Sequence, residues 1–211
     1  MRYQNLLHEF LDNAPVLDSS LCKRAPLLSV SQLESILPNF KRKNGYLKLE
    51  AALRYVRDGA ASPFEAQAAI LFGFSCYKGG AGFSNFSLNR RIILSRRAKH
   101  MLQKNYVVAD LLFEPNDGGV PVIVECQSKL IHDNKASYLA YADRALALET
   151  MGYHVVLLTY ATMSSLKAWH SVVEHIRKKL NYSKPRQPQD FELRELDLRR
   201  NVLIDWKTLG F

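Results

Sequence analysis

Apolar residues in this chain recur first at helical and then at strand spacing. From residue 1 to about 60 they come in short helical bursts: Tyr3 to Leu11, Val30 to Leu37 stopped by Pro38, and Leu47 to Val56 stopped by Asp58-Gly59. Ser31-Gln32-Leu33-Glu34 has capping-box spacing and predicts a helix start. Short helices around Lys41-Arg42-Lys43 suit either a small helix-turn-helix or packing decoration. A stronger signal follows at Ser62-Pro63-Phe64-Glu65, where an N-cap serine, a first-turn proline and a glutamate three residues after the cap precede the apolar run Ala66 to Phe74.

Gly79-Gly80-Ala81-Gly82 then forces a loop, and period-two patterns predict strands over Phe86 to Leu94, Tyr106 to Phe113 and Val120 to Cys126. A helix is expected from Asn134 to Met151, closed by Gly152, then a buried strand from Tyr153 to Thr159. An amphipathic helix carries Leu166, Trp169, Val172, Val173, Ile176 and Leu180. The predicted order is α-β-β-β-α-β-α, without internal repeat. The expected organisation is a helical region over 1–60, a main domain over 61–182, and a basic linker with a C-terminal tail over 183–211; strand and helix features are not separable from Phe191 to Trp206.

The 211 residues are 47% hydrophobic and 23% charged, which excludes disorder, collagen-like repeats and coiled coil as descriptions of the whole chain. No stretch approaches a membrane span, and Met1 to Phe10 is interrupted by Arg2, Gln4, His8 and Glu9, so the expectation is a soluble, cytoplasmic protein without a membrane partner. Cys22, Cys76 and Cys126 are odd in number and far apart, which supports neither a disulfide scaffold nor a zinc site. The net charge of +9 matters through its placement: Lys41 to Lys43, Arg90 to Lys104 and Arg177 to Arg186 are basic clusters suited either to solvated helix ends or, taken together, to nucleic-acid phosphates.

Chemistry enters at Asn116-Asp117-Gly118-Gly119, a tight-turn signal. Pairing symmetric about the Asp117–Gly118 bond puts Asp110 directly across from Glu125, and like charges so placed destabilise a sheet unless compensated. The predicted compensation is a hard, oxygen-bound cation such as Mg²⁺ or Mn²⁺ held by Asp110 and Glu125; the alternative is a carboxyl pair sharing a proton or bound by Arg90 or Arg91. Gln127 shares the parity of Glu125 and completes the candidate site, or is only a polar strand end. Glu65 is a further candidate for which capping is an equal explanation. Cys126 falls on the opposite face and reads as a small buried residue.

Several short motifs carry a family resemblance: Ala61-Ser62-Pro63-Phe64-Glu65; Gly79-Gly80-Ala81-Gly82-Phe83 with Leu88-Asn89-Arg90-Arg91-Ile92; Ala109-Asp110-Leu111; Val124-Glu125-Cys126-Gln127 followed by His132; Asp143-Arg144-Ala145; and Met151-Gly152-Tyr153-His154-Val155 followed by Thr159. In this order, over about residues 45–180, they resemble the PD-(D/E)XK restriction-endonuclease-like superfamily, and more narrowly uncharacterised bacterial proteins related to very-short-patch-repair endonucleases. The resemblance implies an α/β fold with an α-β-β-β-α-β core, a central mixed sheet flanked by helices, and a small helical N-terminal region. It also implies a Mg²⁺-dependent nuclease acting on DNA, with Asp110 and Glu125 as metal ligands, Glu65 as an outer ligand or base-positioning group, and His132 as acid/base or phosphate contact. Arg90, Arg91, Lys129 and Lys135 are the candidate nucleic-acid contacts, and pairing of two chains is left open.

The chain departs from the superfamily pattern at Gln127, where a lysine is expected to orient the attacking water and offset charge. Lys129 or Lys135 then reaches in, or activity is low, or the fold binds without cutting. The competing expectations are a metal-dependent DNase, a non-cleaving nucleic-acid-binding or regulatory module of toxin–antitoxin or phage-defence type, and an interaction domain whose acids only pair with arginine.

Overall fold

The structure is a computed structural model describing residues 26–127 and 135–204, without the side chains of 135–138. The expected helix from Tyr3 to Leu11 lies outside the described residues. The chain divides into two compact units, Met1–Val56 with Asp205–Phe211, and Arg57–Ile204.

In the smaller unit, α1 (Val30–Ile36) runs into a 3-10 turn at Leu37–Phe40, and α2 (Tyr46–Leu53) follows. The capping box sits two residues before its predicted place. Ser29 Oγ accepts from the Gln32 amide and the Ser29 amide donates to Gln32 Oε1 at 2.8 Å, because Ser-x-x-Gln serves this geometry as well as the Ser-x-x-Glu at 31–34. Pro38 is accommodated at the start of the 3-10 turn, where its missing N–H is not needed.

The larger unit is mixed α/β, with a four-stranded sheet in the order β1-β2-β3-β4. Its strands are β1 (Phe86–Ile93), β2 (Tyr106–Phe113), β3 (Val122–Gln127) and β4 (His154–Thr159), and the first three pair antiparallel while β4 joins β3 in parallel. The helices are α3 (Pro63–Gly73), α4 (Arg96–Leu102), α5 (Lys135–Glu149), α6 (Tyr160–Ser164), α7 (Leu166–Lys179) and α8 (Phe191–Val202).

Two apolar clusters hold the sheet. The first joins Leu88, Leu111, Phe113, Val122, Val124 and Leu158 to Ala68, Leu71 and Phe72 of α3, Trp169 and Ile176 of α7, and Leu198 and Val202 of α8. The Phe72 ring meets Trp169 at 4.5 Å and Phe113 at 5.2 Å. The second cluster joins Leu112 and Ile123 to Ala98 of α4 and Ala147 and Leu148 of α5.

Residues 183–204, expected as linker and tail, belong to the larger unit, because Leu198 and Val202 complete the first cluster and Gln67 Nε2 donates to the Val202 carbonyl at 2.8 Å. α4 was legible only as a basic cluster: it has fewer than two turns, and Ala98 is its one buried residue.

Alternation breaks inside the β1–β2 ribbon. Leu88 and Leu111 belong to the first cluster, whereas Ile92, Val107 and Ala109, of matching parity along their strands, belong to the second. Asn89 sits at the change of face with φ of 47°, in the left-handed region, where a residue disrupts the two-residue repeat of a strand. The glycine loop has a separate physical cause: a Cβ on Gly79 would collide with the Arg194 carbonyl, and one on Gly80 with the Phe74 carbonyl.

Candidate active site

The hairpin places both acids. Leu111 pairs with Val124, Leu112 with Ile123 and Phe113 with Val122, so the register is centred on Asp117–Gly118, and Asp110 and Glu125 each stand one residue beyond the last paired row. Asp110 Oδ2 accepts a hydrogen bond from the Cys126 amide at 2.7 Å, tying the aspartate to the strand that carries the glutamate. Both acids line a cleft of about 580 Å³ together with Gln127, Lys104, Tyr141 and Arg144. Gln127 enters it as the last residue of β3, beside Thr159 of β4.

The cation that meets these acids comes from α5. Arg144 donates through Nη2 and Nε to Glu125 Oε1, at 2.8 and 3.2 Å, and through Nη2 to the Val108 carbonyl. Neither arginine of β1 does this. Arg91 lays its guanidinium over the Tyr106 ring, 3.8 Å from the centroid, and Arg90 is exposed. Sequence reasoning gave Arg144 no role, although it stands in the Asp143-Arg144-Ala145 motif; its helical position relative to the hairpin is a tertiary fact.

Burial dominates the electrostatics. It pushes the Glu125 carboxyl up from 4.5 to about 7, with Arg144 opposing the rise and the charges of Asp110 and Glu65 adding to it. Burial also raises Asp110, against the Cys126 amide, with Glu65 reinforcing the shift. The Tyr141 phenol is pushed up to about 12, by burial first and then by the neighbouring Glu125. Cys126 packs toward the first cluster, and burial together with three nearby carboxylates raises its thiol far enough to keep it protonated.

Glu65 is spoken for locally. Its Oε1 accepts from Ser62 Oγ at 2.8 Å, and its Oε2 accepts from the Ala61 amide at 2.9 Å and from Asn89 Nδ2 at 2.6 Å. Both oxygens therefore serve the helix start and the β1 kink, and Glu65 acts on the cleft through its charge. Among the described residues, no group of three or more His, Cys, Asp or Glu side chains is arranged to hold a metal ion.

Two carboxylates remain suitable for one class of ion. Asp110 Oδ1 and Glu125 Oε2 accept no hydrogen bond from the described residues, while their partner oxygens are engaged. Mg²⁺ binds proteins through one or two carboxylates and completes its shell with water and substrate phosphate, so this donor set fits it. Lys129 and His132 lie outside the described residues, as does the side chain of Lys135. Among the described residues, no helix is long and apolar enough to cross a membrane.

Comparison with protein-family models, with curated proteins and with solved structures finds no match to this chain.

Proposed function

We propose that this protein is a metal-dependent nuclease that hydrolyses phosphodiester bonds, in DNA first, on a restriction-endonuclease-like core. The observation that carries the reading is the Asp110–Glu125 pair: a half-buried and a buried acid at the open end of one hairpin, each with one oxygen uncommitted among the described residues, at a cleft. The order α3, β1, α4, β2, β3, α5, β4 keeps the sequence of the motifs that suggested the family, with α4 inserted between β1 and β2.

Asp110 and Glu125 would hold the ion, which when bound would polarise the phosphate and lower the pKa of a water. The chain's own residues do the rest. The Cys126 amide fixes Asp110, Arg144 fixes Glu125, and Gln127 offers an amide able to orient water. Overall, hydrolysis joins a water oxygen to phosphorus and breaks the phosphorus–oxygen ester bond, with one proton passing from the water to the leaving oxygen.

A second reading, a non-cleaving nucleic-acid-binding or regulatory module, draws support from Gln127, which brings no charge, and from the guanidinium already bound to Glu125. Mn²⁺ calorimetry with plasmid nicking separates the two. The nuclease binds the ion and nicks, and Asp110→Ala removes both. If that variant nicks normally, the catalytic assignment is wrong; if the wild type binds duplex but neither binds Mn²⁺ nor nicks, the module reading stands.

A further inference from the structure

We propose that Arg144 is a catalytic residue that contacts the phosphate undergoing hydrolysis and supplies the positive charge that Gln127 lacks; this rests on the nuclease reading above.

Position is the first argument. Lys104 and Arg144 are the lysine and arginine among the residues lining the acidic cleft, and they differ in how they are held. Lys104 is exposed and follows Gln103, a left-handed helix end, and no described residue bonds its ammonium group. Arg144 is anchored at two points, on Glu125 Oε1 and on the Val108 carbonyl, with its side chain 28% exposed.

The second argument concerns what is left over. Nε and Nη2 make every bond that Arg144 forms with described residues, so Nη1 donates to none of them. With Nε engaged and Nη2 already serving two acceptors, the Nη1 hydrogens are left, and a guanidinium anchored in this way presents them in a fixed direction as donors to a phosphate oxygen. Donors fixed before the reaction stabilise developing charge without reorganising during it. The same carboxylate that would hold the ion therefore orients the arginine, which sets both positive charges around one phosphate site. Gln127, at the end of β3 in the same wall, can hydrogen-bond a water but cannot offset charge.

The test compares wild type, Arg144→Gln and Arg144→Lys in single-turnover nicking of supercoiled plasmid at saturating enzyme, with Mn²⁺ alone titrated by calorimetry at pH 8.5 and folding checked by circular dichroism. The expected result is that Arg144→Gln slows the single-turnover rate by about 100-fold while Mn²⁺ binding persists. Arg144→Lys, which keeps the charge but loses the fork, recovers part of that rate. A wild type that nicks, with Arg144→Gln within about threefold of it, overturns the inference and leaves the nuclease reading intact. Loss of Mn²⁺ binding and rate together in both variants shows that Arg144 only positions Glu125, and also overturns it. A wild type that neither nicks nor binds Mn²⁺ overturns both.

Discussion

Arg144 on α5 and Glu125 on β3 meet at 2.8 Å, and the same guanidinium holds the Val108 carbonyl of β2. One side chain thus ties a helix to two strands at the position where the hairpin brings two acids together. Removing one member of a buried pair leaves the other uncompensated, which typically costs about 3–5 kcal/mol. With Glu125 only 12% exposed at its side chain, Arg144→Ala should lower the urea unfolding free energy toward the low end of that range. A variant as stable as wild type would show that the pair contributes nothing to folding.

Glu125 makes stability pH-dependent with a definite sign. Its carboxyl titrates near 7 in the folded chain against 4.5 in its ordinary state, so between those values the folded chain holds a proton that the unfolded chain has released. Stability therefore falls as pH rises through that window, by at most about 3 kcal/mol from this group. Urea midpoints from pH 4.5 to 8 should show the decline, and Glu125→Gln should flatten it. An unchanged slope in that variant would assign the titration elsewhere.

Divalent ions should counter that loss. If Mg²⁺ or Mn²⁺ binds the folded acids alone, an excess of about 100-fold over Kd adds about 2.7 kcal/mol. The readout is a rise in Tm above pH 7 that EDTA reverses and Asp110→Asn abolishes. A rise that survives Asp110→Asn would place the ion at another site.

Asn89 joins the site to its supports. Its side-chain amide donates to Glu65 Oε2 at 2.6 Å and to the Gly59 carbonyl at 2.7 Å, from a backbone at φ 47°. Asn89→Ala loses both bonds and meets the left-handed penalty, and should cost about 2–3 kcal/mol. Asn89→Gly loses the bonds but not the backbone freedom, so it should be milder by about 1 kcal/mol. Equal losses in the two variants would remove backbone strain from the account.

Nucleic-acid affinity, if it follows phosphate contacts, should fall with salt, and each contact removed should lower the logarithmic slope by about 1. Duplex titrations with Arg90→Ala measure this for the exposed arginine of the edge strand. An unchanged slope would exclude Arg90 as a phosphate contact.

Much of the fold was legible because its signals are local. Ser62 starts a helix by accepting from the Glu65 amide, Pro63 fits its first turn because it has no N–H to satisfy, and the turn at Asp117-Gly118 sets the register that pairs Leu111 with Val124. α4 escaped detection because seven residues that bury one alanine leave no periodic signal. α8 was ambiguous because its apolar residues read as either period until α3 and the sheet supply a surface for Leu198 and Val202.

By itself the sequence determined the hairpin register that brings Asp110 and Glu125 to its open end, since turn chemistry and a repeat of two fix strand register without reference to distant segments. Only the tertiary structure decided which cation meets them. Arg90 and Arg91 are nearer to Asp110 in the chain, but β1 carries them away to solvent and to Tyr106, while α5 folds back and lays Arg144 on Glu125. Register is a property of one hairpin, whereas the partner of a buried charge depends on how separate elements pack.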